Sequence, residues 1–263
     1  MIIQKKRIKI LLPVLLMCAF ACKNADTHKK IRGDEFDRVG TFTDDSIPRG
    51  SIKYYTTGSD ELVAIREFKE GVLNGPSINY HDGRIIQTLN FKNGLENGFA
   101  NVYDTSKGFL KQQEFYFNGR QLGPSIQYDS LNSILSYEFR NFENHELFSF
   151  YLDSRNNYVH DNYDKMISVN FNRVTKNNEK KLRLFTYLIY PPKTSVQYKI
   201  GYYNEKEQQV DSVILPKSDD VFWEGFVDHP APNKKPALVI SIYDSLELKS
   251  HVFFNYLALK DDD

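Results

Sequence analysis

Phe68-Lys69-Glu70-Gly71-Val72-Leu73-Asn74-Gly75-Pro76-Ser77-Ile78-Asn79-Tyr80 is answered 23 residues later by Phe91-Lys92-Asn93-Gly94-Leu95-Glu96-Asn97-Gly98-Phe99-Ala100-Asn101-Val102-Tyr103. A further 25 residues on stands Tyr116-Phe117-Asn118-Gly119-Arg120-Gln121-Leu122-Gly123-Pro124-Ser125-Ile126-Gln127-Tyr128. Working outward, Gly50 and Tyr55 keep the same five-residue offset as Gly75 and Tyr80, Gly98 and Tyr103, and Gly123 and Tyr128. Adding 23 to Tyr128 reaches Tyr151, and adding 23 to Tyr116 reaches Phe139, which predicts a last, worn copy. Self-similarity at this period marks a stack of one small unit, repeated.

Within a unit the residues spell two short strands and two turns. Ile85, Gln87, Leu89 and Phe91 fall at every second position, as in a strand. Asp82-Gly83, Asn93-Gly94 and Asn118-Gly119 are pairs that tolerate the positive φ values of tight hairpin turns. Gly71, Gly75, Gly83, Gly94, Gly98, Gly119 and Gly123 are therefore expected as backbone devices at the turns. Tyr55, Tyr80, Tyr103, Tyr128 and Tyr151 are expected to form an aromatic ladder between neighbouring units. The span 47–153 then reads as an antiparallel array of about ten strands. Alternation puts Ile78 and Tyr80 on one face and Ser77 and Asn79 on the other. Asn79, Asn101 and Gln127 are accordingly expected as an exposed polar row, a candidate binding row.

The three quoted phrases resemble bacterial MORN-repeat variants over roughly 100 residues. The resemblance implies a β-hairpin array used for protein or membrane contact, and some bacterial members carry an antitoxin label. The chain departs from the pattern in its last copy, where Phe142 and Glu146 stand for the two glycines. That copy is expected to be a cap or a transition into the next domain.

Residues 1–22 have the parts of an export signal. Lys5, Lys6, Arg7 and Lys9 precede an apolar run from Ile10 to Phe20, too short to span a membrane comfortably. The run ends Ala19-Phe20-Ala21-Cys22, which resembles a bacterial lipobox and makes Cys22 the expected lipidation site. Both cysteines, Cys18 and Cys22, lie in this segment, so the mature chain is expected to have neither a disulfide nor a cysteine metal site. Residues 23–46 are polar and read as a tether to a lipid anchor in the bacterial envelope, at the outer membrane. The whole chain carries 34 basic and 34 acidic residues; without the four basic residues of the leader the charge falls to about −4. That balance argues against a nucleic-acid binder, which shows a basic surplus or stripe.

Residues 156–164 read as a connector. From 165 to 260 seven alternating apolar runs are separated by turn-like residues, which predicts a β-sandwich, immunoglobulin-like by strand count alone. The alternative is that these strands extend the first sheet. Trp223 is expected in the core. The fold class is thus all-β: an N-terminal antiparallel hairpin array followed by a sandwich. No G-x-S-x-G, P-loop, H-E-x-x-H, dinucleotide-binding or C-x-x-C pattern is present. His160-Asp161-Asn162-Tyr163-Asp164 reads as solvated connector rather than a metal site. The chain is expected to be a non-enzymatic envelope lipoprotein without cofactor, acting as a protein-binding or scaffold module. An antitoxin or immunity protein and a glycan or peptidoglycan binder are the alternatives.

Overall fold

A computed structural model describes residues 26–152, 158–160, 166, 168–215, 221–231, 233–245 and 249–257. The leader and Cys22 lie outside the described residues. The chain is all-β and its sheets are antiparallel throughout. Thirteen strands form one sheet in nearly sequential order: β1 (Thr27–Ile31), β2 (Phe36–Phe42), β3 (Pro48–Thr56), β4 (Leu62–Lys69), β5 (Val72–His81), β6 (Arg84–Lys92), β7 (Leu95–Glu96), β8 (Gly98–Tyr103), β9 (Leu110–Phe117), β10 (Arg120–Tyr128), β11 (Ile134–Arg140), β12 (Glu146–Leu152) and β13 (Tyr158–His160). The remaining seven are β14 (Val169–Lys176), β15 (Glu179–Tyr187), β16 (Thr194–Tyr203), β17 (Gln209–Ile214), β18 (Phe222–Asp228), β19 (Lys235–Asp244) and β20 (Lys249–Tyr256). They form two further sheets, β14-β15-β18 and β17-β16-β19-β20, rather than an extension of the first.

Two-residue turns join the hairpins. Glu70-Gly71, Asp82-Gly83, Asn93-Gly94 and Asn118-Gly119 each hold two consecutive positive φ values, from +49° to +83°. That is the turn whose twist matches the flanking strands. The turns also stack on one another. Gly71 N–H donates to the Pro48 carbonyl (3.1 Å), Gly94 N–H to Leu73 (2.8 Å) and Gly119 N–H to Glu96 (2.8 Å). The side chain just after each turn lies against the next glycine: Val72 Cγ1 would stand 3.4 Å from a Cβ at Gly94, and Leu95 Cδ2 3.4 Å from one at Gly119. Asn74 and Asn97 face the next turns, their Oδ1 atoms 3.4 Å from the N–H groups of Asn93 and Asn118.

The array begins earlier than the sequence suggests. Residues 27–42, expected as tether, form β1 and β2 within the same sheet. The buried residues of β2 are Asp37, Gly40 and Phe42, of which only Phe42 has an apolar side chain and which do not all share one face, so no hydrophobic period announces the strand. Asp37 pairs with Lys30 across the hairpin at 2.8 Å, and that contact holds its carboxyl below the ordinary range. At the other end β13 recruits part of the expected connector.

The period also slips at the end. Gly50, Gly75, Gly98 and Gly123 lie opposite Phe68, Phe91, Tyr116 and Arg140. The last step is therefore 24 residues, and Arg140, not Phe139, holds the repeat position. Tyr151 is displaced in the same way: it pairs with Ser136 and points to the face opposite Tyr128. A one-residue change of phase reverses the face.

The other repeat tyrosines do not stack on each other. Their positions lie two strands apart, about 9–10 Å, beyond ring contact. Each sits instead at a bulge, opposite an aliphatic residue: Tyr55 with Leu62, Tyr80 with Ile85, Tyr103 with Leu110 and Tyr128 with Ile134. The partner strand carries one extra residue there, a device that increases local twist.

One face of the array, here the back face, carries Ile78, Ile126, Tyr137 and Phe150; the front face carries Asn79 and Gln127. The back face of β10–β12 and the two smaller sheets share a single core. Leu122, Tyr137, Phe139, Phe148 and Phe150 are buried together with Leu182, Leu184, Tyr198, Ile200, Leu238 and Ile240. Trp223 is partly buried against this core, its ring lying on Gly225. Two departures from the repeat, Leu122 and Phe142, and the repeat glycine Gly123 make contacts of this junction. Leu122 replaces the asparagine of the earlier units and is fully buried, Gly123 lies against Val221, and Phe142 packs on Phe117, Phe185 and Phe222. Phe142 N–H donates to the Tyr187 hydroxyl at 3.0 Å.

Candidate interaction surface

The array residues of the shared core that pair in register all lie on the back face, and they come from its C-terminal third. From β2 to β8 the array is, among the described residues, a single layer whose strand side chains are mostly half-buried, while Phe115 and Phe117 of β9 already pack against the shared core. A single layer has no interior of its own, so each residue is covered only by neighbours on its own face.

The front face has a repeating relief. Ser77, Ala100 and Ser125, two residues after the glycines of β5, β8 and β10, alternate across the sheet with Arg66, Leu89 and Glu114. Ala64, Ser77 and Ala100 are buried as a floor between the larger side chains. Phe36, Tyr54, Val63, Ala64, Arg66 and Asn79 line one hollow in this relief. The Arg66 guanidinium lies 4.9 Å from the centre of the Tyr54 ring, within cation–π range. Further along, the Glu114 carboxylate accepts hydrogen bonds from Gln112 (2.9 Å), Gln121 (3.1 Å) and the Tyr116 hydroxyl (2.9 Å). Burial, and then that carboxylate, push the Tyr116 phenol up to about 12, so it stays a donor at ordinary pH.

The expected polar row is split. Asn79 and Gln127 do share the front face, in the register Asn79–Gln87–Val102–Gln112–Gln127. Asn101 lies on the back face, because it follows Gly98 by three residues whereas Asn79 and Gln127 follow their glycines by four; Val102 takes the front position. Gln127 is exposed, while Asn79 is half-buried and donates to Gln87 Oε1 at 2.9 Å. Asn101 is committed to a back-face ladder, accepting from Gln113 (2.9 Å) and donating to Thr88 Oγ1 (3.0 Å).

That ladder makes Asn101 structural. Asn101→Leu removes both bonds, and at about 0.5–1.5 kcal/mol each the expected loss of stability is about 1–3 kcal/mol. Gln127→Leu, at an exposed position, should stay within about 0.5 kcal/mol. Urea midpoints of the two variants measure the difference, and equal midpoints would contradict the ladder.

Gly71, Gly83, Gly94 and Gly119 stand at the two-residue turns, while Gly75, Gly98 and Gly123, also expected at turns, lie in β5, β8 and β10; all seven have positive φ, and none lines the hollow. Sequence reasoning missed Arg66, Tyr54 and Glu114, whose partners come from a neighbouring strand seven or twelve residues away or from the same face two residues on. Among the described residues no helix is long and apolar enough to cross a membrane, and no group of three or more His, Cys, Asp or Glu side chains could hold a metal ion. No protein-family model matches the chain, and comparisons with curated proteins and with solved structures gave no match.

Proposed function

We propose that the protein is a lipid-anchored envelope protein whose hairpin array is a protein-binding scaffold. The observation that carries the reading is the single-layer stretch from β2 to β8, which among the described residues lacks the second layer that a domain ordinarily packs on each sheet. Its front relief offers shallow grooves floored by small residues, amide donors and acceptors at Asn79, Gln87, Gln112 and Gln127, and the Arg66–Tyr54 pair. That mixture suits a protein surface. The stacked glycine turns support a MORN-like array. The strand order β14-β15-β18 against β17-β16-β19-β20 supports an immunoglobulin-like sandwich. Acylation at Cys22, with β1 starting at Thr27, would set the array close to the membrane.

Photo-crosslinking in intact envelopes tests the binding face. A crosslinker at Gln127 or Gln112 is expected to capture one discrete protein. Adducts from neither front-face position would refute the binding role. The anchor is tested separately: Cys22→Ser should abolish incorporation of a fatty-acid analogue and release the protein from the membrane fraction. Unchanged labelling in that variant would remove the anchor and leave the binding face untouched.

A further inference from the structure

The three sheets end in six outer strands, and five of them carry features that discourage pairing with another chain. β1 has His28, Lys29 and Lys30; β13 has three residues; β14 has Arg173 and Lys176; β18 has Glu224 and Asp228. β17 has Asp211 and a break in its register with β16. Charges on an edge, very short edges and bulges are the usual means by which sheets avoid joining.

β20 is the least protected: its one charge is Lys249, at its first residue. From Ser250 to Tyr256 it contains no Lys, Arg, Asp, Glu or Pro, and it pairs with β19 over eight unbroken steps from Lys249 to Tyr256. Among the described residues no strand lies beyond it. Its outward side chains are apolar and exposed: Val252 at 53%, Phe254 at 51% and Tyr256 at 43%. Tyr203, lying over Gly201, holds Phe254 and Tyr256 from the side, each ring centre 5.9 Å away and nearly perpendicular. An apolar row is thus held in place beside an unprotected row of backbone donors and acceptors.

We propose that β20 is a homodimer edge, where two copies of this chain pair antiparallel and join their four-stranded sheets into one of eight strands. The symmetry of the strand favours a second copy over a different partner. In antiparallel self-pairing about a two-fold axis at Phe254, Val252 meets Tyr256 of the other copy and Phe254 meets its own counterpart. Alternation keeps all of them on one face. The strand offers no charge between Ser250 and Leu257 by which a charged partner would be selected. The contact lies away from the front face of the array and does not depend on what that face binds.

Single cysteines test the edge in the full chain: Val252→Cys, Phe254→Cys and Tyr256→Cys, with Val210→Cys on the opposite edge as control and the parent chain as background. Mild oxidation should give a disulfide-linked dimer from Phe254→Cys, and from a mixture of the Val252→Cys and Tyr256→Cys chains, but not from Val210→Cys. The double variant Val252→Lys with Phe254→Lys should keep the far-ultraviolet circular dichroism of the parent and lose the dimer in sedimentation. No dimer from any β20 cysteine, or as much from Val210→Cys, would overturn the proposal. So would capture of a different envelope protein in place of a second copy.

Discussion

Leu122→Asn, a change that makes the third unit more like the first two, should strongly destabilise the protein. In the earlier units this place belongs to Asn74 and Asn97, whose amides face the next turn beside solvent. In the third unit the smaller sheets cover it, and Leu122 is fully buried among aromatic rings. Removing the leucine forfeits about 1.5–3 kcal/mol of apolar burial. An amide placed there without partners costs about 1–3 kcal/mol more. The sum, roughly 2.5–6 kcal/mol, is a large share of the 5–15 kcal/mol typical of a domain. The reverse exchange, Asn97→Leu, gives up one weak contact and should cost no more than about 1 kcal/mol. Chemical denaturation of both variants measures the asymmetry. Equal losses would mean that the array and the smaller sheets do not share a core.

Gly123→Ala should rank next. Gly123 has φ +80°, where an L side chain is strained by roughly 1–2 kcal/mol. A Cβ there would also stand 2.6 Å from Val221 Cγ1 and 3.0 Å from Val221 Cβ, too close without displacement. Overpacking of that kind costs about 1–3 kcal/mol, so the total is about 2–5 kcal/mol. Gly83→Ala is the reference. Its φ of +72° is similar and nothing lies within 4 Å, so only the backbone strain should appear. Adding Val221→Ala to Gly123→Ala should recover part of the packing penalty, because the two residues touch. A melting temperature for Gly123→Ala equal to that for Gly83→Ala would remove the Val221 contact from the account.

The array was legible where local chemistry decides. Asn-Gly and Asp-Gly pairs need no distant partner to specify a turn, and the turns do stand at Gly71, Gly83, Gly94 and Gly119, whereas Gly75, Gly98 and Gly123, also expected at turns, lie in strands. The strands after residue 165 were legible because most have one side facing a core and the other facing water; β17, exposed along its whole length, was legible from its flanking turns instead. What failed depended on pairing. The bulges opposite Tyr55, Tyr80, Tyr103 and Tyr128 exist only in the register of two strands. A last step of 24 rather than 23 residues moved Phe139 and Tyr151 to the wrong faces. The row of Asn79, Asn101 and Gln127 failed on a count of one, and the offset of Asn101 from Gly98 was visible in the sequence. β1 and β2 were hidden because β1 has no buried residue and two of the three buried residues of β2 are an aspartate and a glycine. The junction did leave a signal: the change from Asn74 and Asn97 to Leu122 marks where a polar contact becomes a buried one.

The stacking of each turn on the one before it has a consequence for length. Gly94 touches only the unit holding Leu73 and Val72, and Gly119 only the unit holding Glu96 and Leu95. A contact scheme limited to nearest neighbours tolerates the insertion or removal of whole units. Each unit adds two strands, about 9–10 Å across the sheet, while Leu122, Gly123 and Phe142 keep the last unit fixed to the smaller sheets. The array is in this sense a ruler graduated in pairs of strands. Duplicating residues 72–94 would set the chain's N-terminal end one graduation farther from the β20 edge and leave the shared core unaltered.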